Sequence, residues 1–280
     1  MKGWFIILMQ IITSENNPLI KEIKSLKLKK FREQKKLYFI EGIKFVEESL
    51  LSDEEINVLI ISHSMVNDQK ILELVQKADQ KDHSIKIYSV ADNIFKNLSD
   101  TETPQGIIAV IKMKTYTLEN IFDMDSNKNK LFIILDAVQD PGNMGTIIRT
   151  ADAAGFNAVI TGKGCVDIYN PKVLRSTMGS IFHIPVIETN DLSHTINFLK
   201  SRGIKIYASH LDATNNYYEL NVSRNTAFII GNEANGISEQ TAALADCLIK
   251  IPMYGKAESL NASIAAGILM YETVRQRTTI

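Results

Sequence analysis

Three polar stretches in the second half of the sequence carry side chains that can bind a ligand. The first, DPGNMGTIIRTADA, contains Asn143 and, six residues later, Arg149. The second, FIIGNEANGIS, contains Glu233 in a Gly-Asn-Glu turn, and the third, IPMYGKAESLNASIAAGILMYE, contains Asn261. A guanidinium can bind phosphate through two parallel hydrogen bonds and lie against a hydroxyl group. Taken singly, each residue also has a structural explanation, such as a solvated arginine, an Asx turn or a helix cap.

The elements around these stretches predict how they are positioned. From residue 131, short apolar runs alternate with helical segments, as in a parallel sheet covered on both faces. The predicted strands are LFIILDAV, NAVIT, IPVIE, IKIYASHL, TAFIIG and CLIKIP, and the predicted helices lie near 144–154, 171–180, 191–202, 238–245 and 261–277. Ligands bind beyond the carboxyl ends of such strands, and all three polar stretches follow strands. We therefore expect them to meet at one edge of the sheet.

Several common site types are not indicated. The sequence has no G-x-G-x-x-G or Walker pattern for nucleotides, and no G-x-S-x-G turn of a serine hydrolase. Its five histidines are scattered, and its two cysteines form no CxxC pair with a neighbouring histidine. We therefore predict no metal site and no disulfide framework, which fits a reducing cytoplasm.

The first 114 residues predict a separate small α/β domain. A helix is expected around 42–51, followed by the strand NVLIIS, a helix at 70–79, the strand SIKIYSV and a last strand at 106–111. Residues 115–130 are polar and lose periodicity in their second half, so we place a linker there. The second domain then covers residues 131–280.

Positive charge is concentrated near the start of the first domain. Residues 21–36 contain eight Lys and Arg but two Glu, in a chain whose net charge is −1. Apolar residues recur at roughly helical spacing there, so the segment predicts one helix with a cationic outer face. Phosphate contacts of this kind dominate non-specific affinity for nucleic acid. The candidates for RNA contact are Lys27, Lys29, Lys30 and Arg32.

The first residues, MKGWFIILMQII, contain a short apolar run, but no small-residue cleavage site follows it. We interpret the first eight residues as an extension, with Met9 as an alternative start to Met1. The sequence contains no run close to the ~18 apolar residues of a membrane span.

Taken together, the three polar stretches resemble motifs 1, 2 and 3 of the SpoU (TrmH-like) RNA 2′-O-ribose methyltransferases of the SPOUT superfamily. The matching residues are Asn143, Arg149, Gly231-Asn232-Glu233, Ile251-Pro252 and Ser259-Leu260-Asn261. The first half resembles the L30e-like substrate-binding domain of the ribosomal-RNA branch of this family, mainly in ITSENNPLIKEIKSLKLKKFREQKKLYFIEGIKFVEESL and TETPQGIIAV.

The resemblance implies an α/β fold: a C-terminal SPOUT-type parallel sheet with a trefoil knot, preceded by a small L30e-like domain. No rule of strand patterning predicts a knot, since knots are very rare. It also implies S-adenosyl-L-methionine as methyl donor, a ribose 2′-hydroxyl as acceptor, and a homodimer. The catalytic candidates are Asn143, Arg149, Glu233, Ser259 and Asn261, and the cofactor-binding candidates are Gly231, Ile251 and Leu260.

The family proposal makes Arg149 the general base, although arginine normally stays protonated in proteins. We prefer a role in orienting the 2′-hydroxyl and lowering its pKa, with an RNA phosphate as one possible proton acceptor. The segment NPKVLRSTMGSIFHIPV also resembles the family, and Arg175 within it is a candidate for RNA phosphate.

The leading hypothesis is a methyltransferase acting on ribosomal RNA of the 23S type. Two alternatives change only the substrate, to transfer RNA or to a resistance-conferring ribosomal site. A third, of a different class, is a ribosome-associated RNA-binding protein without activity, against which the intact motif residues argue.

Overall fold

The computed structural model describes residues 10–124 and 129–278. The predicted extension at residues 1–8 and the choice between Met1 and Met9 fall outside these residues. The described chain forms two compact units. The first comprises the residues up to Lys114 together with Tyr169–Pro171, and the second comprises Thr115–Ile168 and the residues from Lys172 onward.

The first unit is built on a mixed five-stranded sheet with the order β1-β4-β3-β5-β2. β5 pairs antiparallel with β2 and β3, while β4 pairs parallel with β1 and β3. The strands are β1 (Gln10–Ile12), β2 (Leu37–Glu41), β3 (Ile56–Ser62), β4 (Lys86–Val90) and β5 (Ile107–Lys112). The helices are α1 (Pro18–Ser25), α2 (Lys29–Lys35), α3 (Ile43–Leu51), α4 (Gln69–Lys81) and α5 (Asp92–Leu98). A short 3-10 turn, His63–Met65, follows β3.

The basic segment forms two short helices, α1 and α2, where the sequence predicted one. The break lies at Leu28, whose backbone is extended and which is the N-cap of α2. Ile20, Ile23 and Leu26 are buried, whereas Phe31 is only partly buried. The side chain of Arg32 closes the gap: its Nη1 donates to the carbonyls of Leu26 and Lys27 at 2.7 and 2.9 Å. These are carbonyls at the end of a helix that lack helical partners, and a guanidinium satisfies them.

The second unit begins within the predicted linker, which contains helix α6 (Leu118–Asp123). Thr117 and Asn120 form a reciprocal capping box at its start. Its Ile121 is buried in the core of the second unit, and Lys130 Nζ donates to the Ile121 carbonyl at 2.8 Å. The sequence did not predict this helix, because its apolar periodicity is short and polar residues follow it.

Seven parallel strands form the sheet of the second unit, in the order β10-β12-β9-β11-β6-β7-β8. The strands are β6 (Leu131–Leu135), β7 (Ala158–Thr161), β8 (Val186–Glu188), β9 (Lys205–Ser209), β10 (Asn215–Asn216), β11 (Thr226–Ile230) and β12 (Cys247–Lys250). All residues of β6, β7 and β11 are buried, as expected for strands covered on both faces. The parallel sheet predicted from the sequence is therefore confirmed, with the two-residue strand β10 as an addition.

The helices of the second unit connect these strands and cover the sheet. They are α6, α7 (Pro141–Ala153), α8 (Pro171–Thr177), α9 (Leu192–Ser201), α10 (Glu239–Ala242) and α11 (Ala262–Thr278). Two 3-10 turns, Ser180–Phe182 and Tyr217–Glu219, lie between them. The last helix, α11, packs against α7 and β11. The knot implied by the family resemblance stays a prediction.

The strand order reverses between β6 and β11, which are neighbours in the middle of the sheet. Their pairing runs in register from Thr226 opposite Leu131 to Ile230 opposite Leu135. From β6 the chain continues to β7 on one side, whereas from β11 it continues to β12 on the other side. Such a reversal leaves a crevice outside the carboxyl ends of the two strands, and this is where open α/β sheets bind ligands.

Candidate active site

The site is built from the two loops that leave β6 and β11. Asp136, at the end of β6, accepts hydrogen bonds through Oδ2 from the amide and hydroxyl groups of Ser238, at 3.0 and 2.8 Å. Asn232 Nδ2 donates to the carbonyl of Ala137 at 2.8 Å. Ala137 has a φ of 59°, which L residues with a side chain rarely adopt. These bonds hold the two loops against each other in one arrangement.

Glu233 links the second loop to the start of α7. Its Oε1 accepts from the amide of Asp140 at 3.1 Å and from Asn143 Nδ2 at 2.9 Å, and its Oε2 accepts from the amide of Gln139 at 3.1 Å. Burial disfavours the charged carboxylate, but the hydrogen bonds from Asn143, Gln139 and Asp140 outweigh that effect, so the pKa of Glu233 lies below its ordinary value. Glu233 is therefore an anion at neutral pH, and it serves as an acceptor.

Asn143 lies at the centre of the cluster and is 7% exposed. Its main-chain amide donates to Oδ1 of Asp140 at 2.8 Å, because Asp140 is the N-cap of α7 and Pro141 occupies the first turn. Its side-chain amide donates to Glu233 and accepts, through Oδ1, from Asn261 Nδ2 at 2.9 Å. Both ends of the Asn143 amide are thus engaged, which fixes its orientation.

Asn261 brings the third polar stretch into the same cluster. Its Oδ1 accepts from the amide and hydroxyl of Ser263 at 2.9 and 2.7 Å and from the amide of Ile264 at 3.3 Å. It therefore caps the start of α11 and binds Asn143 at the same time. The structure brings together one residue from each of the three motifs: Asn143, Glu233 and Asn261.

Two other catalytic candidates stand outside this hydrogen-bonded cluster. Arg149 is exposed on α7, on the same face as Thr146 and Ala153, while Ile147 and Ile148 are buried. Among the described residues, Arg149 has no hydrogen bond or ion pair, so its guanidinium is available to a ligand. Ser259 is likewise exposed in the loop before α11.

Arg175 lies beside the start of α7. Together with five other residues it lines a cavity of about 430 Å³, the others being Asp140, Pro141, Gly142, Lys172 and Ser176. A Cβ atom on Gly145 would lie 2.3 Å from Cβ of Ser176 and 2.8 Å from the carbonyl of Val173. Glycine at 145 is therefore required for α7 and α8 to pack this closely.

Three positions were expected to contact a cofactor. Gly231 follows β11 and Ile251 follows β12, while Leu260 precedes α11; all three are partly exposed. A Cβ atom on Gly231 would lie 2.1 Å from the carbonyl carbon of Gly236, so its own loop already requires glycine. Within the described part of the chain, the main-chain groups of Pro252–Leu260 make no hydrogen bond.

The four cationic candidates of the first unit differ in their surroundings. Lys29 and Lys30 are exposed. Lys27 forms an ion pair with Asp100 at 2.9 Å and donates to the carbonyl of Ser99 at 3.1 Å. Arg32 is 4% exposed and holds α1 to α2, so its guanidinium points inward where the sequence predicted an outer face. Because the segment breaks into two helices, Arg32 turns toward the carbonyls at the end of α1. This placement corrects the prediction that Arg32 contacts RNA.

Sequence analysis missed two residues that the structure places beside the site, Asp140 and Lys172. Asp140 caps α7, and the Asp-Pro pair at 140–141 is a signal for such a cap. Lys172 lines the same cavity as Arg175, three residues before it on α8. The shared helix face of Lys172 and Arg175 indicates a binding role for Lys172 only once the cavity is known.

Two further searches were confined to residues 10–124 and 129–278. Within these ranges, no group of three His, Cys, Asp or Glu side chains is arranged to hold a metal ion. None of the helices described there is long and apolar enough to cross a membrane.

Two family models match this chain. The model of the SpoU rRNA Methylase family matches residues 130–271, and that of the MRM3-like substrate binding domain matches residues 17–109. The first match contains all three motif loops.

Similar proteins extend over nearly the whole chain. The 23S rRNA (guanosine(2553)-2′-O)-methyltransferase RlmP of Bacillus subtilis is 38% identical over 263 residues, which cover 94% of this chain and 98% of that protein. A putative TrmH family tRNA/rRNA methyltransferase, YacO, of the same organism is 32% identical over 86% of this chain and 97% of that protein.

Two solved structures are also similar. The AdoMet-bound rRNA methyltransferase from Sinorhizobium meliloti has a TM-score of 0.83 and 29% identity, covering 95% of this chain and 98% of that one. The SpoU methyltransferase AviRb from Streptomyces viridochromogenes, in complex with AdoMet, has a TM-score of 0.85 and 25% identity, covering 94% and 99%.

Proposed function

Because the chain belongs to the SpoU rRNA methylase family, we propose that it transfers a methyl group from S-adenosyl-L-methionine to a ribose 2′-hydroxyl of ribosomal RNA, of the 23S type. The observation that carries this proposal is the hydrogen-bonded cluster of Asn143, Glu233 and Asn261, which joins the three motifs at the carboxyl edge of the parallel sheet. The exposed guanidinium of Arg149, on the same helix as Asn143, supplies the positive charge that stabilises the 2′-oxygen during the reaction.

The residues at the edge of the sheet suit S-adenosyl-L-methionine. The free main-chain groups of residues 257–260 offer donors and acceptors for an adenine edge, and Ile251 and Leu260 offer apolar contacts beside them. Gly231 brings the loop after β11 close to the same edge. When bound there, the cofactor supplies an activated methyl group on sulfur.

Arg149 acts on the ribose. Arginine stays protonated, so its guanidinium donates hydrogen bonds to the 2′-oxygen and stabilises the negative charge that grows there as the hydroxyl proton passes to an RNA phosphate oxygen. Its planar fork also binds an adjacent phosphate oxygen. Asn143 and Glu233 hold the first turn of α7 in place, and Asn261 fixes the amide of Asn143. Ser259 lies exposed two residues before Asn261 and offers a hydroxyl to the same ribose.

RNA is held by cationic side chains of both units. Arg175 and Lys172 line the cavity at the start of α7, where helix amides and the helix dipole also favour a phosphate. Lys29 and Lys30 extend from the first unit, whose residues 17–109 match a substrate-binding domain. Lys27 contributes positive charge near them, although its ammonium group is held by Asp100.

We propose that the enzyme is a homodimer that works in the cytoplasm. Ile264 and Tyr271 on α11 are 54% and 50% exposed, although both are large apolar or aromatic residues. They share the helix with small residues such as Ala265 and Gly267, which allow close packing. A second copy covering this face removes apolar surface from water. The cytoplasmic location follows from ribosomal RNA as substrate and from the free state of Cys165 and Cys247.

Transfer RNA is the second candidate substrate, because relatives such as the Bacillus subtilis protein YacO are described as tRNA/rRNA methyltransferases. Mapping ribose methylation in ribosomal and transfer RNA from cells with and without the gene separates the two. We expect one ribosomal position to lose its 2′-O-methyl group in the deletion strain and to regain it with the wild-type gene. A lost methyl group in transfer RNA alone overturns the assignment to ribosomal RNA, and no lost methyl group overturns the proposed activity.

A further inference from the structure

Three tyrosines cluster near the edge strand β10 and its neighbour β12. Tyr217 and Tyr218 follow β10 in a 3-10 turn, and Tyr254 follows β12. Because these two strands pair in parallel, the segments that follow them leave the sheet at the same edge. The rings of Tyr217 and Tyr218 meet edge to face, with centroids 5.3 Å apart. Tyr254 lies close enough to Tyr218 for their side chains to interact electrostatically. We call these three residues the tyrosine cluster.

The outer member of the cluster is almost completely exposed. Tyr254 is 93% exposed and Tyr218 is 46% exposed. An aromatic ring contributes to stability through the surface it buries, and a ring this exposed contributes little to the fold. The exposed face of Tyr254 is therefore free to contact a ligand.

The cluster lies on the same loop as a residue of the candidate active site. Tyr254 lies seven positions before Asn261, which binds Asn143, so the chain from one to the other spans at most ~25 Å. A stacked nucleic-acid strand rises about 3.4 Å per nucleotide. A strand whose target ribose lies at Asn143 therefore reaches Tyr254 within about seven nucleotides.

Charges around the cluster are balanced. Lys250 and Lys256 lie within four residues of Tyr254, but Glu258 is on the same loop and Glu219 follows Tyr218. The carboxylate of Glu219 is close enough to Lys250 for their charges to interact. The cluster is thus not a general phosphate-binding surface. The cluster can still bind RNA through the face of a neutral tyrosine ring, on which any unpaired base stacks.

We propose that the tyrosine cluster is a stacking platform for unpaired bases that flank the methylated nucleotide, with Tyr254 as the residue that contacts the base. This inference rests on the proposed function, because it takes RNA to be the substrate. It implies that the enzyme recognises a single-stranded loop or an opened helix, and that part of its affinity for RNA is insensitive to salt.

The test compares Tyr254→Leu with Tyr254→Phe, in which the ring is kept and the hydroxyl is lost. Binding of a labelled oligouridine of about 12 nucleotides, within the usual site size of single-strand-binding folds, is measured by fluorescence anisotropy over a range of salt concentrations. Binding of a duplex of equal length, binding of S-adenosyl-L-methionine and the oligomeric state are measured on the same samples.

We expect Tyr254→Leu to weaken oligouridine binding about 10-fold, as for the loss of one base–aromatic stack, with an unchanged salt slope. Tyr254→Phe should bind as tightly as the wild type, and all variants should bind the duplex, the cofactor and a second copy equally well. Unchanged oligouridine binding by Tyr254→Leu overturns the inference. Loss of cofactor binding or of the dimer in that variant also overturns it, because the ring then covers the cofactor or a second copy.

The proposed function fails separately. If the wild-type protein binds oligouridine through Tyr254 but methylates no RNA, the platform stands and the activity is wrong. If the wild-type protein methylates RNA but does not bind oligouridine, the activity stands and the platform is wrong.

Discussion

The side-chain amide of Asn261 donates a 2.9 Å hydrogen bond to Oδ1 of Asn143, which lies 118 residues earlier in the chain. This bond connects the cap of the last helix, α11, to the first turn of α7. Because Asn143 also donates to Glu233, the orientation of one amide depends on two distant loops. The three motifs are therefore joined in a single hydrogen-bonded unit.

Two substitutions of Asn261 separate its capping role from its bridge to Asn143. Aspartate and serine both cap helices well, but neither has the amide group that donates to Asn143. We expect Asn261→Asp and Asn261→Ser to change the melting temperature little and to lower the methylation rate at least about 5-fold, since a lost polar contact of this kind typically costs about 1 kcal/mol or more. Rates measured on saturating RNA check this. If the methylation rate and the melting temperature fall together, the prediction is contradicted, because Asn261 is then only a helix cap.

Glu233→Gln should lower activity and alter the response to acid. Glutamine retains one oxygen for Asn143 but turns an NH₂ group toward the amide of Gln139, so at least one hydrogen bond is lost. The pKa of Glu233 is lowered in the folded protein, so the carboxylate stabilises the fold above its ordinary pKa, and this stabilisation disappears as the pH falls through the lowered pKa.

Urea denaturation at several pH values tests the sign of this effect. The wild type should be more stable than Glu233→Gln above about pH 5, by less than about 1 kcal/mol because the side chain is largely solvated, and the difference should disappear as the pH falls through the lowered pKa of Glu233. A difference that grows toward acid pH contradicts the role of Glu233 as an ionised acceptor.

In the basic segment, we expect Lys29 and Lys30 to bind RNA and Arg32 to stabilise the fold. Replacing Lys29 and Lys30 together with alanine should reduce the slope of log affinity against log salt by about 1.5, or roughly 0.7–0.9 for each lost phosphate contact. The melting temperature should stay the same, because both side chains are exposed.

Arg32→Ala is the matched comparison. It should lower the free energy of unfolding by about 3 kcal/mol, because it leaves two buried carbonyls without their charged donor. A stable Arg32→Ala protein with weakened RNA binding contradicts this division of roles.

The proposed dimer predicts a particle of twice the chain mass of 31.4 kDa in light scattering at micromolar concentration. Ile264→Glu and Tyr271→Glu should each shift it toward the monomer, because each places a charge on the exposed apolar face of α11. A wild-type particle of the monomer mass that is still active contradicts the proposal.

The sequence predicted those parts of the second unit that depend on local pattern. Mainly apolar runs such as LFIIL and TAFII form buried parallel strands, and each of the three polar stretches follows a strand of the parallel sheet. Parallel strands place their carboxyl ends at one edge, so the meeting of Asn143, Glu233 and Asn261 was expected from strand direction alone. The hydrogen-bond partners within the cluster depend on loop geometry, which periodicity does not encode.

The prediction of an outward-facing Arg32 was wrong for a physical reason. Charge and spacing favour one cationic helix, but the extended backbone at Leu28 separates α1 from α2, and Arg32 then donates to the carbonyls of Leu26 and Lys27. The tyrosine cluster was not predicted either, because Tyr218 and Tyr254 are 36 residues apart and are brought together by the pairing of β10 with β12.

The most direct test of the account measures methyl transfer by the Arg149 variants. Purified wild type, Arg149→Ala and Arg149→Lys are incubated with unmodified 23S ribosomal RNA and S-adenosyl-L-methionine carrying a labelled methyl group, and the nucleosides are analysed by mass spectrometry. Cofactor binding is measured in parallel by thermal shift. A cofactor at 100-fold excess over its Kd raises the free energy of unfolding by about 2.7 kcal/mol, and this raises the melting temperature.

The wild type should form one 2′-O-methylated nucleoside, and Arg149→Ala should lose ~10²–10⁴-fold in rate while binding the cofactor normally. Arg149→Lys should recover little, because lysine keeps the charge but lacks the planar fork. Near-normal turnover by Arg149→Lys contradicts the orienting role. Full activity of Arg149→Ala, or a methyl group on a base, contradicts the assignment of α7 to the chemistry of the ribose.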